Sequence, residues 1–172
     1  MKPKLIIAAV CLAVAGLTVP ILISSCKNTG QKASDEAIEK TVENATGKDV
    51  EVNSNNETME ISTNDGKVKY DGNIKSWPDD IPAEVPEFTY CKIDGATISD
   101  VDNKIAYTFK IMDLNIDALK AYDKDLKAKG FESILMLIGE KGGTITAEKD
   151  GLSVALMGGD GNGTLSVQIP KK

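Results

Sequence analysis

The chain contains neither histidine nor arginine. The first absence removes the commonest general base and metal ligand, and the second removes the planar fork that clamps carboxylates and phosphates. A Ser-His-Asp triad or a Cys-His couple therefore cannot be built from these residues. Carboxylate pairs, Ser/Lys chemistry and oxygen-only sites for hard cations survive. Aromatic side chains are also scarce, at 5% of the chain, which makes the single tryptophan, Trp77, conspicuous.

The surviving chemistry finds little support. Carboxylates gather at Asp79, Asp80, Glu84 and Glu87, and again at Asp94, Asp100 and Asp102, but neither group has the spacing of a cation-binding loop. The stretch Asp113-Leu114-Asn115-Ile116-Asp117 begins like an EF-hand, yet Ala118 stands where the sharp-turn glycine belongs and Lys124 where the bidentate glutamate belongs. The glycine-rich run 158–163 lacks the Lys-Ser/Thr ending of a phosphate loop and leads into an alternating segment, so it reads as a flexible hairpin tip. An acid pair for glycoside hydrolysis is the best remaining enzymatic option, and nothing implies a cleft for it. The expectation is a protein without catalytic residues, metal or cofactor.

What the chain does have begins at its N-terminus. Lys2 and Lys4 precede the apolar run 5–23, the charged and hydrophobic regions of an export signal. The run ends in Ile23-Ser24-Ser25-Cys26, which resembles the lipobox of bacterial lipoproteins. That resemblance implies a diacylglycerol on the Cys26 thiol and cleavage just before it. The alternative is an uncleaved anchor helix, since the run is about long enough to cross a bilayer. Either way the remainder is expected outside the cytosol, attached to the membrane.

Removing residues 1–25, which carry two lysines and no acid, takes the formal charge from −6 to −8. An acidic domain repels anionic head groups and nucleic acid, so the attachment has to be covalent and no nucleic-acid partner is expected. Of three cysteines, Cys11 leaves with the signal and Cys26 carries lipid, so Cys91 stands alone and no internal disulfide can form. It is expected inside a strand, as a small hydrophobe.

Further along, residues 26–33 read as a polar stalk. Ser34 followed by Asp35 and Glu36 reads as a helix start, with Ile38, Val42 and Ala45 as a thin apolar stripe and Gly47 as the closing residue. With strands at 50–53, 58–63 and 67–70 and the turn Asn64-Asp65-Gly66, residues 34–72 form a small helix-plus-hairpin unit. Residues 89–172 form the main unit, opening with a strand at 97–99 and a turn at 100–103. A strongly alternating strand follows at 104–112, then a helix at 116–129 capped by Asp113 or Asn115 and ended by Gly130. Strands at 132–139, 144–149, 152–157 and 164–169 complete it. The fold class is α+β: an antiparallel meander with one helix packed on a face. In Ile134-Leu135-Met136-Leu137-Ile138 both parities are apolar, so both faces of that strand want cover. The helix covers one; the N-terminal unit or a partner covers the other.

Between the units lies Trp77-Pro78-Asp79-Asp80-Ile81-Pro82-Ala83-Glu84-Val85-Pro86-Glu87-Phe88. Each proline removes an amide donor and biases its predecessor towards extended geometry, so residues 73–88 read as a semi-rigid, mostly extended strap. Trp77, Ile81, Val85 and Phe88 pin it across the sheet edge, sealing the core and joining the two units; alternatively Trp77, with Ile81 and Phe88, forms a binding strap on which a ligand stacks. This segment, the alternating strand after it and the ensuing Gly-aromatic helix end resemble a family of uncharacterised lipoproteins of Gram-positive bacteria, over about residues 74–169. The resemblance implies extracytoplasmic anchoring and no catalysis. The expected function is therefore a lipid-anchored envelope protein that binds another protein or a wall component, with a small-ligand or metal-binding lipoprotein accessory to a transporter as the alternative.

Overall fold

The computed structural model describes residues 29–47 and 49–171. The signal segment and the lipobox residues Ile23, Ser24, Ser25 and Cys26 lie outside them. The chain divides into two units, Met1–Val50 and Glu51–Lys172.

In the first unit a helix, α1, runs over Thr29–Thr46 and ends at Gly47, whose φ is 68° and whose amide donates to the Glu43 carbonyl at 2.7 Å. The helix thus begins five residues before Ser34 and takes up much of the expected stalk. Gln31, Lys32 and Ala33 are good helix formers, so the helix propagates through them and Ser34 lies inside it.

The second unit is built on strands β1 (Val50–Ser54, whose first residue is the last of the first unit), β2 (Thr58–Thr63), β3 (Gly66–Asp71), β4 (Lys92–Val101), β5 (Lys104–Leu114), β6 (Glu132–Ile138), β7 (Gly142–Lys149), β8 (Leu152–Gly159) and β9 (Gly161–Pro170). Helix α2 (Ile116–Ala128) connects β5 to β6. The nine strands form one sheet in the order β1-β2-β3-β4-β5-β9-β8-β7-β6. The chain meanders to the centre, crosses by α2 to the far edge, and meanders back until β9 pairs with β5. The result is the expected α+β meander, with α2 packed on β6 and β7. The hairpin β2–β3 is part of the same sheet, because β3 pairs with β4 along its whole length.

Three hairpins turn on two residues with left-handed φ: Asp102-Asn103 (52°, 62°), Asp150-Gly151 (49°, 83°) and Asp160-Gly161 (51°, 85°). These are the turns whose twist suits antiparallel strands. The expected six-residue glycine tip shrinks accordingly to Asp160-Gly161, and its other glycines lie in β8 and β9. Gly158 and Gly163 make room beneath the sheet: a Cβ on Gly163 would stand 2.3 Å from Leu114 Cδ2.

Partners across antiparallel strands point to the same face. The inner face carries Phe109, Leu165, Leu156 and Ile145 in one row, all fully buried, continued by half-buried Leu135. A second row holds Tyr107, Val167, Val154 and Ala147. Burying each large apolar side chain contributes about 1.5–3 kcal/mol, so these rows dominate the fold's stability. Leu119, Tyr122 and Leu126 of α2 close over them. Asn115 caps the helix, its Oδ1 accepting from the Ala118 amide at 2.9 Å. At the other end the amides of Gly130 and Phe131 donate to the carbonyls of Lys127 and Leu126, each at 3.0 Å. Phe131 is thereby folded back into the core, as its place after Gly130 predicts.

Strand β4 is far longer than the segment 97–99. Its pairing with β5 shifts between Ile93 and Ala96, so both residues are buried although three positions apart. A bulge of this kind interrupts the period-two signal, which is why alternation finds only the last part of the strand.

Candidate functional site

Two regions hold the residues singled out by sequence: the proline strap and the outer side of β6.

The strap is not mostly extended. The Ile81 amide donates to the Pro78 carbonyl at 3.3 Å and the Val85 amide to the Pro82 carbonyl at 2.9 Å, so Asp79-Asp80 and Ala83-Glu84 are the tips of two successive tight turns. A proline fixes its own φ and restricts the residue before it, here Trp77, Ile81 and Val85; the two residues after it remain free to turn. The four-residue repeat therefore drives one apolar side chain per turn towards the sheet. Ile81, Val85 and Phe88 are buried in the core. Phe88 meets Tyr122 edge-on at 5.0 Å between ring centroids, and the Tyr122 hydroxyl donates to the Pro86 carbonyl at 3.1 Å. Trp77 is half-buried and stacks on Phe109 at 5.2 Å. Ile81 and Phe88 are thus interior groups, and Trp77 has one ring face against the core. A groove of about 630 Å³ lies beside it, lined among others by Pro78, Asp79 and Lys129.

The sequence-predicted carboxylates are dispersed and largely engaged. Asp94 accepts from Lys75 and from Lys110, each at 2.7 Å, and these two ammonium groups hold its carboxyl down at about 2. Asp100 pairs with Lys171, and Asp113 with Lys92 at 3.0 Å. Asp79, Asp80 and Glu84 occupy the strap turns. Among the described residues no three His, Cys, Asp or Glu side chains form a metal-binding group. Cys91 lies in the bend before β4 rather than inside a strand; it is half-buried, with its Sγ 3.6 Å from the Asp113 carbonyl. Burial pushes its thiol pKa up, which keeps it protonated and a poor nucleophile. The Tyr90 hydroxyl donates to Asp125, and that carboxylate raises the tyrosine's pKa.

The outer face differs. Ile134, Met136, Ile138 and Met157 are 67%, 62%, 62% and 60% exposed. The register sets Met136 opposite Thr144 and Thr144 opposite Met157, while Ile134 faces Thr146 and then Ala155, so the four apolar side chains share one side of β6–β8. The hairpin does not cover them. It extends the sheet at the opposite end, with Val68 opposite Ser99 and Tyr70 opposite Thr97 on this same outer face. At one end of the apolar group Glu132 stands directly across from Glu148, both exposed and neither in an ion pair among the described residues. At the other end Lys141 pairs with Asp160 at 3.2 Å. The two-parity apolar run signals this surface in the sequence, but the Glu132–Glu148 opposition emerges only from the register.

Comparison with protein-family models, curated proteins and solved structures returns no match for this chain. Among the described residues no helix is long and apolar enough to cross a membrane.

Proposed function

We propose that the chain is an exported envelope protein, lipid-anchored through Cys26 on the extracytoplasmic side of the membrane, and that it acts as a non-enzymatic binding module. The observation that carries the binding reading is the open apolar surface of Ile134, Met136, Ile138 and Met157, set on a sheet whose other face is closed by α2 and the strap. Large apolar side chains grouped on an exposed face mark interaction surfaces in water-soluble domains. The anchoring reading rests on the order of basic start, apolar run and lipobox in residues 1–26. Attachment by a single acyl chain would be marginal, so the diacylglycerol form is the one that holds.

Mass spectrometry of the full chain recovered from bacterial membranes tests the anchor. The expected product begins at Cys26 and carries diacylglycerol, and Cys26→Ser releases the protein or leaves its precursor uncleaved. An unmodified Cys26 with an intact leader, or a purely intracellular pool, overturns the reading. A photo-crosslinking residue at Met136 should capture a partner on intact cells where the same residue at Trp77 does not; the reverse pattern moves the contact surface to the strap.

A further inference from the structure

Resting on that binding reading, we infer that β6 accepts an extended, basic peptide segment of a partner protein as an added tenth strand. Among the described residues strand β6 ends the sheet and pairs with β7 alone, so the backbone groups on its other side have no strand partner there. Its pairing with β7 is unbroken from Glu132 to Ile138, and it contains neither proline nor lysine. Of the devices that blunt a natural sheet edge, proline, lysine and a bulge are missing from this strand, and Glu132 at its start is the one charge it carries. The opposite edge, β1, is shorter and presents Glu51 and Asn53 to solvent.

The edge is also held in place. The buried Asp123 of α2 accepts from Ser133 Oγ and from Lys127 Nζ, each at 2.7 Å, which fastens β6 to the helix from the inner side. On the outer side Ile134, Met136 and Ile138 alternate, offering contacts to every second residue of an incoming strand. Main-chain hydrogen bonds and alternating contacts are the two ingredients of recognition by strand addition.

Charge selects the occupant. Like charges directly opposite each other on a sheet repel, and Glu132 and Glu148 form no ion pair among the described residues. A lysine or arginine at the end of the added strand would sit by both, and the chain's net charge of −6 steers a cationic segment in the same sense. A second copy fits less well: antiparallel pairing about Met136 would set Glu132 of each chain against Glu140 of the other. An anionic bilayer has the wrong sign.

The test measures fluorescence anisotropy of short labelled peptides with the full chain in detergent micelles. The probes are an alternating valine-threonine peptide ending in lysines, the same peptide ending in glutamates, and the lysine peptide with N-methylated backbone amides. The lysine peptide should bind more tightly than the glutamate peptide by at least about threefold per charge pair. Double reversal of the exposed acids, Glu132→Lys with Glu148→Lys, should invert that preference, and N-methylation should abolish binding. Equal binding of both charged peptides, undiminished binding of the methylated one, or dimers in sedimentation that disappear with Ile134→Thr and Met136→Thr would each overturn the proposal. Failure here with capture retained at Met136 on cells sinks strand addition alone and leaves the binding module standing.

Discussion

The strap and strand β6 carry similar loads of apolar side chain in similarly short stretches, and the fold treats them in opposite ways. Trp77, Ile81, Val85 and Phe88 are turned inward by the proline repeat, and three of the four are buried. Ile134, Met136 and Ile138 stand in solvent, and even Leu137 on the inner parity is 43% exposed. The difference lies in what each backbone can do. A chain of proline-initiated turns has few amides to satisfy and bends to follow the core, whereas a strand must show alternate residues to both sides of its sheet. Hydrophobicity alone therefore does not say which segment is core and which is surface.

Breaking the strap should have the largest effect. Phe88→Ala removes a fully enclosed ring that packs on Tyr122, and should cost about 3–5 kcal/mol in urea unfolding. Trp77→Ala leaves a partly open site and should cost less, with the melting temperature falling by a smaller margin while export is unchanged. A Trp77 variant that melts normally but loses a partner would place recognition at the strap after all.

The sequence discloses more of the main unit than of the strap. Alternation in β5, the Asn115 cap and the Gly130-Phe131 ending are local signals, and they appear where residue chemistry puts them. Strand β4 escapes because its bulge resets the period. The strap's turns escape because each proline restrains itself and its predecessor, two residues in four, and says little of the other two. The start of α1 shifts because helix propensity in 31–33 outweighs a capping serine. For the candidate site, the excess of apolar residues in 134–138 is plain in the sequence. That β6 lies at an edge is not, because strand order is decided by the α2 crossover and the return of β9 to β5.

A smaller effect comes from the polar pin at the strap's lead-in. Lys75 and Lys110 hold Asp94 at about 2, below the usual 3.8. A carboxyl whose pKa is depressed on folding contributes stability above its unfolded value and loses it as pH falls through the folded one. The contribution is therefore full above about pH 4 and gone near pH 2. Asp94→Asn should lower the melting temperature slightly at neutral pH, and the gap to the parent should close across that window. Solvent screening keeps the effect modest, because the group is exposed. A gap that persists at pH 2 would assign the loss to packing rather than charge.

The comparison is sharpest where the expected cost is near zero. If Ile134 and Met136 serve the fold, replacing them removes buried contacts and costs what a core truncation costs. If they serve a surface, Ile134→Thr with Met136→Thr leaves stability within about 0.5 kcal/mol, because threonine keeps strand propensity and the lost side-chain atoms were in water. Urea unfolding of the double variant decides between these outcomes, and the denaturant slope adds a second check. An unchanged slope with an unchanged midpoint means that the native state hid no area at these positions. A drop approaching the Phe88→Ala value would mean that the outer face is covered in the full chain, and that β6, like the strap, belongs to the core.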